Sequence, residues 1–440
     1  MKIARTPGAL PRRRDLLRLA LTTAAFPLLL PASARGANNR LNVGAIGVGR
    51  MGRGDLGEAL YRGLKHQARV RAVCDVDRHR AREAAAWVDK TYAQERPAGE
   101  GGEACAVYGD FRELLARADL DVVTVSTPDH WHGLIALAAA RAGKDVYLQK
   151  PLTYSLAEGR ALIAAVRGGR RVLQTGSQQR SSVHQRRVCQ LVRNGRLGRL
   201  REIHVTLPPD HGTGRATPMP VPENLDFAFW LGPAPESAYT EDRVHPRQGL
   251  GRPGWLQIEA YCRGMVTGWG AHMFDAVNWA LGDVPLRFAL EAKGSFPDRG
   301  LFDVHTTFQA EARLSDGVRL TASTGDPAGV KFVGEAGWAS FVRGSFSASD
   351  REWLRENPAD AVPLPVSVNH MDDFYRAVRS RQDPICPVEV GHRANALCLV
   401  VHAALKTGRT LHWDGETERC GEDAGANAWL NPPLRAPWTL

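Results

Sequence analysis

The sequence predicts an α/β fold, with an N-terminal doubly wound parallel sheet and a C-terminal α+β domain built on an open, mainly antiparallel sheet. Three observations carry this. Residues 41–64 read as a buried strand, a glycine-rich turn and a helix. Apolar runs and helix-like runs then alternate up to about residue 175, the pattern of a parallel sheet covered on both faces. From Gly176 onward the strand-like pieces are separated by long Pro- and Gly-rich loops, and the strict alternation stops.

The elements follow in order. Leu41-Asn42-Val43-Gly44-Ala45-Ile46 is the first strand, and Gly54 to Leu64 the helix after the turn. Val70 to Cys74 is a second apolar strand that ends in Asp75. Asp121 to Ser126 is a strand, and Leu134 to Ala142 an alanine-rich helix closed by Gly143. Asp145 to Leu148, the helix Ala157 to Val166 and the strand Arg171 to Thr175 complete the first half. In the second half, Arg201 to Thr206 and Val304 to Leu314 read as strands. Ser315-Asp316-Gly317 before Val318 marks a hairpin. Late helices are expected from about His370 to Arg381 and from Gly391 to Thr407.

Between the first strand and helix stands Gly47-Val48-Gly49-Arg50-Met51-Gly52, a G-x-G-x-x-G. In a strand–turn–helix context this is the fingerprint of a Rossmann-like dinucleotide site. Gly47 allows the tight turn, Gly49 lets backbone approach a diphosphate, and Gly52 lets helix and strand pack closely. The diphosphate would sit on free N–H groups at the helix N-terminus. Asp75, 28 residues after Gly47, is placed to accept hydrogen bonds from a ribose diol and to repel a 2′-phosphate, which favours NAD over NADP. Arg78 and Arg80 just beyond it offer a 2′-phosphate possible partners.

Residues 1–34 have the order of an export signal: a basic stretch around Arg12-Arg13-Arg14, an apolar stretch through Leu30, and Ala32-Ser33-Ala34 as a small-residue cleavage site. Arg13-Arg14 followed by x-Leu-Leu-Arg resembles a twin-arginine signal, which exports proteins already folded. The expected division is a leader over 1–34, a dinucleotide domain over 35–175 and a substrate or oligomerisation domain over 176–440. The leader holds six basic residues and one acid, so +5 of the net charge of +10 belongs to it. The remainder is poor grounds for a nucleic-acid partner. No further hydrophobic stretch reaches membrane length. The expected location is the periplasm or the outside of the cell, and the expected partners are the twin-arginine machinery and a small carbohydrate. An exposed sheet face makes a homo-oligomer an option. Seven cysteines without a C-x-x-C read as buried thiols, and no His/Cys/Asp/Glu cluster has zinc spacing.

Ligands in open α/β sheets bind beyond the strand C-termini. Two such ends carry Ser126-Thr127-Pro128-Asp129-His130-Trp131-His132 and Gln149-Lys150-Pro151. Together with the glycine fingerprint, Thr127-Pro128-Asp129-x-x-His132 and Gln149-Lys150-Pro151 resemble the Gfo/Idh/MocA family. Gly268-Trp269-Gly270-Ala271-His272-Met273-Phe274-Asp275 and the tail Asn431 to Trp438 extend the resemblance over roughly residues 40–438. The family's mark is Glu-Lys-Pro; glutamine replaces the glutamate here.

The resemblance implies a Rossmann domain with an open-sheet partner, and hydride chemistry on sugar or cyclitol carbons with NAD or NADP. It implies that Lys150 and His272 are the catalytic lysine and histidine; Asp275, three residues on, is a further catalytic candidate that also suits an anchor for the helix. The family's usual aspartate four residues before the histidine is absent, because that position is Gly268. The cofactor set expected is Gly47, Val48, Gly49, Arg50, Met51, Gly52, Asp75, Thr127, Pro128, His132, Lys150 and Gln178. His130, Trp131, Arg180 and Tyr261 are substrate candidates. His130 and Trp131 also suit a cap on a helix starting near Gly133. Three functions stay open: an exported NAD(P)-dependent oxidoreductase holding its cofactor tightly, a glycoside hydrolase or lyase that uses bound NAD with no net redox change, and a noncatalytic cofactor-binding protein.

Overall fold

In the computed structural model of the chain, the described residues are 40–95, 103–210, 212–244, 253–355 and 362–440. The leader expected over 1–34 lies outside them. The first sheet contains β1 (Leu41–Ile46), β2 (Ala68–Cys74), β3 (Ala106–Tyr108), β4 (Val122–Val125), β5 (Asp145–Leu148) and β6 (Leu173–Thr175). Its spatial order is β3-β2-β1-β4-β5-β6, with every pairing parallel. The order reverses between β1 and β4. At that point the loops after the two strands diverge and leave a crevice.

The helix after β1 runs Arg50–Lys65, beginning four residues before its expected start. Its glycines lower helix propensity and obscure that start, but packing requires one of them. A Cβ on Gly52 would lie 1.9 Å from the carbonyl oxygen of Gly47. The helix after β4 likewise begins early, at Asp129 rather than near Gly133. Pro128 precedes it as N-cap, and Asp129 in the first turn complements the positive end of the helix dipole. His130, Trp131 and His132 are therefore helical residues, which corrects the capping role open to His130 and Trp131.

The second sheet comprises β7 (Leu200–Leu207), β8 (Arg287–Ser295), β9 (Thr307–Leu314), β10 (Arg319–Thr324), β11 (Gly329–Gly334), β12 (Gly337–Val342), β13 (Ser345–Ala348) and β14 (Leu411–Asp414). Its order is β13-β12-β11-β7-β10-β9-β8-β14. All its pairings are antiparallel except β7 with β10. On β9, Phe308, Ala310, Ala312 and Leu314 are buried while Thr307, Gln309, Glu311 and Arg313 are exposed, the alternation of a sheet with one wet face. The dry face packs on helices Gly270–Leu281 and Val388–Thr407. Helix Val388–Thr407 also touches β6 and helix Leu156–Gly168, so it serves both sheets.

Helix His370–Ser380 departs from the linear division expected at residue 175. Met371, Phe374, Tyr375 and Val378 enter the same core as Val43, Leu56 and Val73, covering the first sheet. The Tyr375 hydroxyl donates to the Ala59 carbonyl at 3.2 Å. All seven cysteines are buried free thiols, as expected. Among the described residues, no helix is long and apolar enough to cross a membrane.

Candidate active site

A cleft of about 430 Å³ runs from the glycine turn along the ends of β1, β2, β4 and β5 to the start of the histidine helix. Gly47 adopts φ +77°, the left-handed region, and a Cβ there would lie 2.8 Å from the Ser126 carbonyl. Gly49 caps helix Arg50–Lys65 with no side-chain hydrogen bond to its first turn, which leaves N–H donors for a ligand. Gly47, Gly49, Arg50 and Met51 line the cleft, whereas Val48 and Gly52 shape the turn behind it. The uncapped helix end, with the Arg80 guanidinium 3.1 Å from where a Cβ on Gly49 would stand, fits a dinucleotide diphosphate.

Asp75 lines the cleft and braces the turn. One carboxylate oxygen accepts from the Val48 N–H at 2.9 Å and the other from the Asp77 N–H at 2.9 Å. Burial pushes its pKa up, and these backbone bonds oppose the rise. The two arginines beyond it diverge. Arg78 donates to the Glu223 carbonyl, while Arg80 faces the cleft beside Gly49, 3.7 Å from Asp77.

Beyond β4, Thr127, Pro128, Asp129, Trp131 and His132 line the cleft. The His132 ring bridges the Pro151 carbonyl at 2.7 Å and the Thr127 carbonyl at 2.9 Å, tying the β4 and β5 loops together. Behind them, buried Asp55 accepts from Ser126 Oγ at 2.6 Å and from Gln149 Nε2 at 3.0 and 2.9 Å. Burial raises the Asp55 pKa to about 6. The Gln149 side-chain oxygen accepts from the Lys150 N–H at 3.2 Å, so this network holds the backbone of Lys150.

Lys150 Nζ reaches across the cleft and donates to the Gly268 carbonyl at 3.0 Å. Burial is the largest influence on its pKa and lowers it. His272 is 5% exposed and does not line the cleft; it lies beside Trp269, which does. Its Nδ1 is buried with no hydrogen-bond partner. Burial, then the Lys150 and Arg343 charges, holds its pKa well below the usual histidine range, so the ring is neutral.

The remaining candidates are drawn elsewhere. Asp275 and Arg180 are buried together: Arg180 Nε donates to both Asp275 oxygens at 2.9 Å, and its Nη2 lies 2.7 Å from Asp283. Neither lines the cleft. They form an anchoring ion pair in which each charge compensates the other, and anchoring the helix is one of the two roles the sequence left to Asp275. Gln178 donates to the Tyr147 hydroxyl at 3.1 Å, away from the cleft lining. His130 and Tyr261 are also behind the wall. His130 meets the Trp230 carbonyl at 3.0 Å, and Tyr261 is fully buried with its hydroxyl near Ser237 and Arg243. Trp131 keeps its place on the cleft, its indole N–H donating to the Trp230 carbonyl at 2.9 Å.

Sequence reasoning missed Asp55, whose place in the site depends on partners 71 and 94 residues away. It also missed the aromatic wall of Phe111, Phe229, Trp230 and Trp255.

Comparison with known proteins agrees with this architecture. Residues 41–177 match the family description "Oxidoreductase family, NAD-binding Rossmann fold", and residues 210–440 match "Oxidoreductase family, C-terminal alpha/beta domain". An inositol 2-dehydrogenase 2 of Saccharopolyspora erythraea is 32% identical over 220 residues, 48% of this chain and 60% of that protein. A glycosyl hydrolase family 109 protein of Solibacter usitatus is 30% identical over 157 residues, 33% of this chain and 34% of that protein. The chain thus spans about half the length of the curated relatives it matches. The WlbA dehydrogenase of Bordetella pertussis, solved with NADH and UDP-GlcNAcA, shares the fold at TM-score 0.61 and 16% identity, over 84% of this chain and 98% of that one. Family models thus match both halves of the chain, and the chain belongs to the Gfo/Idh/MocA oxidoreductases, with an NAD-binding Rossmann fold.

Proposed function

We propose that this protein transfers a hydride between NAD and a carbon of a sugar, cyclitol or glycoside, with Lys150 handling the proton of the reacting hydroxyl. The observation that carries this is Lys150 itself. It is a half-buried amine in the dinucleotide cleft, held by a carbonyl at 3.0 Å, with its pKa lowered chiefly by desolvation. Such a lysine gives up its proton more readily than a solvated one. Bound nicotinamide would supply the hydride acceptor or donor. Gly47, Gly49, Arg50 and Met51 would seat the diphosphate, and Asp75 would select NAD by facing the ribose. Thr127, Pro128 and His132 would shape the floor beneath the nicotinamide. Neutral His272, set behind Trp269 with its Nδ1 unpartnered, would position Lys150. The inositol dehydrogenase resemblance supports a polyol substrate. We further propose export in the folded state, on the order of residues in the leader.

A redox-neutral glycoside hydrolase or lyase is the second reading. It is favoured by the absence of a side chain at Gly268 and by the resemblance to a glycosyl hydrolase family 109 protein. Both readings share the first oxidation step. The test is turnover of a panel of polyols and glycosides, following nicotinamide absorbance and products together. Lys150→Ala should lose ~10²–10⁴ in rate with NADH still bound. Lys150→Arg should not restore it, because guanidinium keeps its proton. Near-normal turnover by Lys150→Ala would remove the lysine from the mechanism. Glycoside cleavage without net NADH formation would select the second reading.

A further inference from the structure

We propose that residues 224–231 form a strap across the NAD cleft, and that Trp438 latches this strap and so sets how slowly the cofactor leaves. This rests on NAD occupying the cleft and not on the chemistry assigned to Lys150. The strap is bonded on both sides of the crevice. On one side, the Arg78 N–H donates to the Asn224 carbonyl at 2.9 Å and the Asp226 N–H to the Val76 carbonyl at 3.0 Å. Asn224 Nδ2 also donates to Asp77 at 2.7 Å. These bonds tie the start of the strap to the loop after β2. On the other side, the Trp131 indole N–H donates to the Trp230 carbonyl at 2.9 Å, and the His130 ring meets the same oxygen at 3.0 Å. These tie its end to the helix after β4. Between β2 and β4 lies β1, which ends in the glycine turn. A segment bonded to the chain beyond both outer strands therefore crosses the crevice at that turn. Its Leu225, Phe229 and Trp230 line the same cleft as Gly47 and Gly49.

The strap cannot hold itself. Its helix, Phe227–Leu231, has five residues, too few to be stable without packing. The packing comes from the tail that follows helix Ala424–Leu430. Trp438 meets the Trp131 ring edge-on with 4.7 Å between ring centres, and lies 5.9 Å from Phe229. Phe229 stacks on Phe111 at 5.9 Å, and the Arg112 guanidinium lies over both Phe229 and Trp438, at 5.3 and 5.8 Å. Phe111, Trp131 and Phe229 line the cleft, and Trp438 stands behind them.

Arg435 holds the chain just beyond the strap. Its N–H donates to the Pro233 carbonyl at 2.9 Å, and its guanidinium to the Gly232 and Ala234 carbonyls at 2.6 and 2.7 Å. The strap's exit is fitted closely to Trp131: Gly232 has φ +49°, and a Cβ there would stand 2.0 Å from the indole ring. The tail is itself fixed to the first domain, where the Asn431 side-chain oxygen accepts from the Ala157 N–H at 2.8 Å. Trp438 is half-buried at the edge of the first sheet's core. Its loss should therefore free the strap without unfolding the chain. It touches the wall and not the cleft, and acts as a positioning residue through Trp131 and Phe229.

The experiment follows the cofactor and needs no substrate. Protein loaded with NADH is mixed with excess NAD, and NADH release is read by stopped-flow fluorescence. Trp438→Ala should release NADH about five- to a hundredfold faster than the parent, the equivalent of two lost ring contacts. Arg435→Gln, which leaves all four rings in place, should also release it faster. In Trp438→Ala the amide protons of Arg78 and Asp226 should exchange with solvent faster, while those of β1 and β4 keep their parent rates. Release at the parent rate from Trp438→Ala would overturn the latch. So would exchange that quickens evenly over strap and sheet, since that is a general loss of stability. If Trp438→Ala does not fold, Arg435→Gln carries the same test, and an unchanged release rate there overturns the proposal. A parent protein that binds no NADH would overturn the NAD cleft and the latch together, whereas unchanged release from a protein that binds NADH would overturn the latch alone.

Discussion

Gln149→Glu restores the family's Glu-Lys-Pro and should weaken this protein in a pH-dependent way. The buried glutamine donates its amide to both oxygens of Asp55 at 3.0 and 2.9 Å. A glutamate would instead place a second carboxylate at that distance. At an effective dielectric of about 20, two such charges ~3 Å apart repel by about 5 kcal/mol. Protonating one of them at about pH 7.5, against an ordinary glutamate value near 4.3, costs about 4 kcal/mol. Protonation is the smaller cost, so the pair should hold one proton. The carboxyl–carboxylate hydrogen bond returns about 1 kcal/mol, leaving a net loss of about 3 kcal/mol.

The sign separates variant from parent. A carboxyl whose folded pKa is raised lends stability that is full below its unfolded pKa and is lost as pH rises through the folded value. Asp55 in the parent reaches about 6, so its contribution falls between about pH 4 and 6 and is flat above. In Gln149→Glu the shared proton is held to higher pH, and stability should keep falling by up to about 1.4 kcal/mol per unit above pH 6. Urea unfolding of both proteins between about pH 5 and 8 is the assay. A deficit that stays constant with pH, or no deficit, would refute the reasoning and mean that the Asp55 network has no part in the choice of glutamine.

Gly52→Ala should disrupt the glycine turn, because the added Cβ meets the Gly47 carbonyl oxygen at 1.9 Å and neither backbone can yield. Loss of about 1–3 kcal/mol in stability and a weakened NADH fluorescence titration are expected. Asp75 should make NAD the tighter ligand, and NADP binding tighter by about tenfold would show instead that Arg80 governs the choice. If the protein is exported folded, its nicotinamide should survive dialysis and support turnover with none added. A chain that emerges empty would return the function to an ordinary dehydrogenase.

Five strands of the first sheet were legible as short apolar runs ending at turn signals, and β1 matches its expected bounds; β3, only three residues long, was missed. Helix starts were less legible. Gly52, Gly54 and Gly57 disguise the first turns after β1, and Pro128 with three aromatic or imidazole residues disguises the helix after β4. The second sheet was only partly legible. β11 to β13 are short, and the parallel pairing of β7 with β10 joins segments far apart in sequence. Of the site, the cleft ends at Lys150 and the glycine turn could be read locally. The reason for glutamine at 149 could not, since Asp55 lies 94 residues away.

Asp275 illustrates the same limit with a mechanistic consequence. Three residues after His272 on a fully buried helix, it could face the cleft or turn away from it, and sequence spacing does not decide between these. The decision comes from Arg180, 95 residues earlier, just beyond β6. Its guanidinium is 2% exposed, lies 4.9 Å from the Trp279 ring centre and is compensated by Asp275 and Asp283. For Asp275 to act as an acid in the cleft it would have to release this cation, and breaking a buried pair costs about 3–5 kcal/mol. Anchor and acid are therefore mutually exclusive roles for this side chain. The anchor ties the histidine helix to the end of the first sheet and so fixes where His272 stands relative to Lys150.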